Sequence, residues 1–145
     1  MRTLELLEWQ PPAVAVKFTD HEVRAVSLAQ RVSRAIAVTL RECDADREEV
    51  AARMSEYLGE PVSKNMLDAY ASQARESHNI SLARTLALIH ATGDARVLGS
   101  ELERFDLVII PRRFLAAVDE AMWAEQEERA HAERTAARRR WKGGR

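Results

Sequence analysis

The sequence predicts a mostly α-helical fold on three observations. Apolar residues recur at three- and four-residue spacing along most of the chain. Capping residues and glycine stops punctuate that spacing into short units. The final stretch, after Trp123, consists of strong helix formers with no wide apolar face. Residues 1–122 read as one compact helical domain, with a helix-turn-helix at about 46–77. Residues 123–145 read as an extended C-terminal helix and basic tail.

The elements follow in order. Thr3–Trp9 is short and mixed, a strand or one helical turn, and Pro11-Pro12 ends it. Trp9 beside Pro11 is expected to cap the core. Val14, Val16 and Phe18 alternate with Ala15 and Lys17, which predicts a short extended piece. Thr19 or Asp20 then caps a helix from about His21 to Glu42. Its stripe is Ala25, Leu28, Ala29, Val32, Ile36, Leu40 and Cys43.

Asp46-Arg47-Glu48-Glu49 is a capping box opening the next helix. Val50, Ala51, Met54, Tyr57 and Leu58 form its apolar face. Gly59 stops it in a left-handed conformation and Pro61 bars its resumption. Ser63 caps a second helix, Lys64 to about Ser77. This cap–turn–cap arrangement is the helix-turn-helix pattern. Ser81 caps a third helix, Leu82 to Thr92, which is apolar on most of its circumference and so expected to be central. Gly93-Asp94 closes it. A short helix from Ala95 to about Phe105 follows. Leu107–Ile110 predicts a strand, the partner of Val14–Phe18 in a small two-stranded β element. Phe114 to Trp141 is the long final helix.

Composition narrows the function classes. The chain has 145 residues and 46% hydrophobic content, ordinary for one globular domain. One cysteine excludes an internal disulfide framework, and Cys43 is expected to be a reduced packing residue. No signal peptide or membrane span is read, so a cytoplasmic protein is expected. His21, His78, His90 and His131 show no ligand spacing. His90 is expected at the core or its boundary. With no catalytic motif, the expectation is a protein that is not an enzyme and needs no cofactor, metal or small-molecule substrate.

The formal net charge of −1 is a sum of two unlike parts. Residues 1–128 hold 15 Lys+Arg against 22 Asp+Glu. Residues 129–145 hold 7 Lys+Arg against Glu133 alone. A basic arm of this kind tracks phosphate backbones through counterion release, or serves as a plain solubilising end. Trp141, inside Arg138-Arg139-Arg140-Trp141-Lys142, can stack on a base or be a plain tail residue. Residues 46–78 carry 4 Lys+Arg and 7 Asp+Glu, so the helix-turn-helix is itself acidic.

The run EVAARMSEYLGEPVSKNMLDAYASQARE, followed by SLARTLALIHATGDARVLGSELERFDLVIIP, resembles phage regulatory proteins of the CII type, from temperate and transposable phages. The likeness covers about Asp46 to Pro111. It implies a sequence-specific regulator of transcription that binds double-stranded DNA, assembles into homo-oligomers and acts in the bacterial host cytoplasm. Carried over, Ser63 to Arg75 is the recognition segment. The acidic recognition unit and the Arg-rich final helix depart from the family's pattern.

Two functional readings follow. In the first, Lys64, Asn65, Asp68, Ser72 and Gln73 are candidate base contacts, while Arg75, Arg138, Arg139, Arg140 and Lys142 hold phosphates. In the second, the acidic helical body is an adaptor for a basic protein partner, and the tail binds nucleic acid without sequence preference.

Overall fold

The computed structural model describes residues 13–74 and 77–144. The expectations placed on Thr3–Trp9, Pro11-Pro12 and Arg75 lie outside them. The described residues contain seven α-helices and two short 3₁₀ turns. The helices are α1 (Asp20–Val23), α2 (Leu28–Glu42), α3 (Arg47–Leu58), α4 (Lys64–Tyr70), α5 (Leu82–Thr92), α6 (Arg96–Leu102) and α7 (Leu115–Gly143). No strand occurs among the described residues. The chain divides into two compact units, Ala15–Ile109 and the remainder, which contains α7.

Within Ala15–Ile109, α2 to α6 surround a core of Ile36, Val50, Met54, Leu67, Ala87 and Leu88. Local chemistry sets the helix ends. Asp46 accepts a hydrogen bond from the Glu49 N–H at 2.8 Å. Ser81 accepts one from the Arg84 N–H at 3.3 Å. Each satisfies a backbone donor that the first helical turn leaves open. Gly59 and Gly93 close α3 and α5 at φ +69° and +72°. A side chain would be strained in that conformation. Helix α5 packs chiefly on α3 through Thr85, Ala87, Leu88 and Ala91, leaving Leu82 and Leu86 exposed.

The expected helix from His21 to Glu42 is two helices. Ser27 caps α2 by accepting from the Gln30 N–H at 3.2 Å, and Val26 beside it is 95% exposed. A serine that bonds the backbone of the next turn favours a helix start over a helix interior. Helix α4 also ends early, at Tyr70. Ser72 N–H donates to Ala69 O at 3.3 Å. That bond tightens the last turn. Gln73 and Ala74 beyond it are exposed. A short helix persists only where it buries a face, and burial fades after Tyr70, through half-buried Ala71 and Ser72.

In place of a strand pair, Val16 N–H donates one hydrogen bond to Ile109 O at 2.9 Å. The Val16–Phe18 segment is instead a strap over α6. Phe18 N–H donates to Ser100 Oγ at 2.8 Å, and the Phe18 ring is buried. The strap lies so close to Gly99 that a Cβ there would stand 1.6 Å from Val16 O.

Two charge clusters tie α2 to α6. Arg31 grips Glu101 through two hydrogen bonds of 3.0 and 3.1 Å, with both side chains largely buried. Such a two-pronged, charge-assisted contact is among the stronger polar ties. Arg96 bonds Asp94 and Glu42, and its guanidinium lies 4.2 Å from the centre of the Phe18 ring. The ring face attracts that cation. Burial pushes the Asp94 carboxyl up, but the Arg96 side chain and N–H and the Thr39 hydroxyl outweigh it. The net result is a carboxyl held below its ordinary range.

In the other unit, a 3₁₀ turn at Arg112–Phe114 leads into α7, and no residue of α7 is buried.

Candidate nucleic-acid interface

The α3–α4 connection is short and held from several sides. Ser55 Oγ accepts from the Val62 N–H at 2.8 Å and lies 2.8 Å from Ala51 O, clamping the turn onto α3. Val62 is buried, so the turn also has an apolar anchor. Ser63 then caps α4 by accepting from the Met66 N–H at 3.2 Å. Arg84 reaches across from α5 to Tyr70 Oη at 2.5 Å and to Glu60 at 3.1 and 3.2 Å. Those bonds, to Tyr70 first and Glu60 next, hold Arg84 more firmly protonated than a free guanidinium. Leu67 and Tyr70 face the core, which turns Lys64 and Asn65 to solvent.

The acidic character of this surface has a local geometry. Lys64 Nζ lies 3.9 Å from Glu48 Oε1 and 4.0 Å from Asp68 Oδ2. Asp68 is also ion-paired with Arg47 from α3. Lys64, Asn65 and Asp68 thus come together on α4, with Lys64 flanked by two carboxylates. A phosphate approaching Lys64 meets those carboxylates as well. Ser72, half-buried, and Gln73, exposed, follow after the helix has ended rather than on its face.

Arg138, Arg139, Arg140 and Lys142 are all exposed on α7. At about 100° per residue, Arg138 and Lys142 share a face while Arg139 and Arg140 point elsewhere, so the cations ring the helix. Trp141 is largely exposed among them.

Arg47 and Glu48, which the sequence marks only as part of a capping box, and Ser55, which it does not mark, shape this surface. The i,i+4 spacing of Lys64 and Asp68 signals their own contact. Nothing local signals Arg47 against Asp68, which are 21 positions apart. His90 lies at the surface of α5, its ring stacked on Tyr57 with centroids 4.3 Å apart. Cys43, half-buried, packs against the core at the end of α2. No group of three or more metal-ligating side chains assembles among the described residues. No protein-family model, curated protein or solved structure matches this chain.

Proposed function

We propose that this chain is a phage-type, sequence-specific DNA-binding regulator of transcription. Helices α3 and α4 act as the helix-turn-helix, with α4 in the major groove and the α7 cations on phosphates. The supporting observation is the clamped α3–α4 turn, which fixes the direction in which Lys64 and Asn65 leave the surface. Asparagine can bond adenine at two atoms of its major-groove edge, N6 and N7, at once, and a fixed backbone is what makes such contacts selective. One two-turn helix supplies few base contacts, so a homo-oligomer on repeated half-sites is expected.

Charge assigns the affinity to α7. With Glu48 and Asp68 beside Lys64, the body contributes little attraction to DNA. Arg138, Arg139, Arg140 and Lys142 then supply the counterion release. The test is selection of bound sequences from random duplex DNA, followed by titration of the selected site. Asn65→Ala should lose about 1–3 kcal/mol of preference for that site. Replacing the four α7 cations by alanine should weaken binding to all sequences and flatten the salt dependence. Absence of any enriched sequence, with Asn65→Ala unchanged, overturns the reading.

One observation favours a second reading. The carboxylates around Lys64 suit a basic protein partner, with α4 part of an adaptor surface and the tail a sequence-independent tether. Removing residues 129–145 separates the two. An adaptor keeps its protein partner, whereas the regulator loses most of its DNA affinity.

A further inference from the structure

Helix α7 is 29 residues long, and none of its residues is buried. At a rise of about 1.5 Å per residue it extends for about 43 Å. Trp123 and Trp141 are largely exposed on it, Trp123 to 74%. Such a helix lacks the buried face that supplies most helical stability in proteins. Its composition therefore asks for an occupant, and its charge order identifies one.

The charges are segregated along the axis. Residues 115–128 hold Asp119, Glu120, Glu125, Glu127 and Glu128 with no lysine or arginine. Residues 129–143 hold Arg129, Arg134, Arg138, Arg139, Arg140 and Lys142 against Glu133 alone. At the junction Glu125 pairs with Arg129 within the helix. A parallel second copy would set acid on acid and base on base. An antiparallel copy sets each acidic half on a basic half.

A seam with the spacing of a two-stranded coiled coil runs through both halves. Ala116, Glu120, Trp123, Glu127, Ala130, Arg134, Ala137 and Trp141 alternate four and three positions apart. Its residues suit antiparallel contact. With Trp123 opposite Arg134 of the second copy, Ala116 meets Trp141, Glu120 meets Ala137, and Glu127 meets Ala130. Three of those four layers set a large side chain on an alanine. The fourth places a guanidinium on an indole, a favourable cation–π pairing. Beside the seam, Asp119 faces Arg140 of the second copy.

We propose that α7 is a homodimerisation helix that pairs antiparallel with α7 of a second copy, acidic half on basic half. This names the partner surface for the oligomer expected of a DNA-binding regulator, but it rests on α7 alone. Arg139 falls on the face away from the seam and stays open to phosphate, so pairing and DNA contact are compatible.

The test uses the full chain without DNA, so that its failure and failure of the regulator reading are distinguishable. Sedimentation at physiological salt should give the mass of two chains. Asp119→Arg should weaken the dimer at least tenfold, and so should Arg140→Glu. An equimolar mixture of those two variants should restore it. Melting curves of each variant control for folding. Orientation is read from spin labels at Gly144→Cys on a Cys43→Ala background. Antiparallel pairing separates them by about 45 Å, from the rise per residue, and parallel pairing brings them within about 15 Å. A monomer at all concentrations, unchanged dimerisation in both charge-reversed variants, or labels in close approach overturns the proposal.

Discussion

Helices α5 and α7 are held by different means. Helix α5 has 11 residues, a serine cap, a left-handed glycine stop, and Thr85, Ala87, Leu88 and Ala91 buried. Helix α7 has 29 residues, no capping side-chain bond at its start, and no buried residue. A helix as short as α5 is unstable alone and exists because its neighbours bury it. Helix α7 persists through propensity, from its many Ala, Glu and Arg residues. The first kind of helix fixes a fold. The second presents a surface, and its sequence is free to encode charge and spacing for a partner.

The contrast is broken most severely at Gly99, where α6 has no room for any side chain. Gly99→Ala would drive a methyl group into Val16 O and push the strap away, exposing Phe18 and cutting the Val16–Ile109 bond. Losing the burial of one phenylalanine costs about 3 kcal/mol or more. Urea unfolding followed by circular dichroism should show that loss. A Gly99→Ala protein as stable as the parent would show that the strap does not hold α6.

Next in size is a paired truncation across the two helices. Leu88 is fully buried on α5. Leu88→Ala should therefore cost about 2–5 kcal/mol. Met122 is an equally apolar group on α7, where it is 64% exposed. Met122→Ala should change the stability of the Ala15–Ile109 unit by less than about 0.5 kcal/mol. Thermal melts of both variants check the pair. Equal losses from both would mean that α7 contributes to the core.

The same distinction governs what could be read from the sequence. Helices α3 and α5 are found where their caps and glycine stops put them, because Asp46, Ser81, Gly59 and Gly93 act locally. The α1–α2 break was legible in principle. Ser27 stands three positions before Gln30, a capping signal overridden by a stripe that ran through Ala25 and Leu28. The end of α4 was not legible, since alanine and glutamine after Tyr70 are good helix formers and only the loss of burial stops them. In the candidate interface, exposure of Lys64 and Asn65 follows from the Ser63 cap. The Arg47–Asp68 pair depends on how α3 and α4 approach, and no local pattern encodes that.

The smallest effect concerns the polar tie between the α5–α6 turn and α2. Asp94 is ionised more readily than a free aspartate, so the folded state binds its proton less tightly than the unfolded chain does. The sign follows: its contribution to stability is complete above the unfolded value near 3.8 and is lost as pH falls through the lowered folded value. Asp94→Asn keeps the shape but removes the charge that Arg96 grips, and should cost about 1 kcal/mol at neutral pH, the scale of a hydrogen bond. The variant should also flatten the acid limb of a stability-versus-pH curve below about pH 4, the ordinary aspartate range. Charge reversals in α7 should leave that limb in place for the Ala15–Ile109 unit, because its acid sensitivity resides in groups such as Asp94 that the core holds against a cation. An acid limb that survived in Asp94→Asn would move this pH dependence to another carboxylate in the unit.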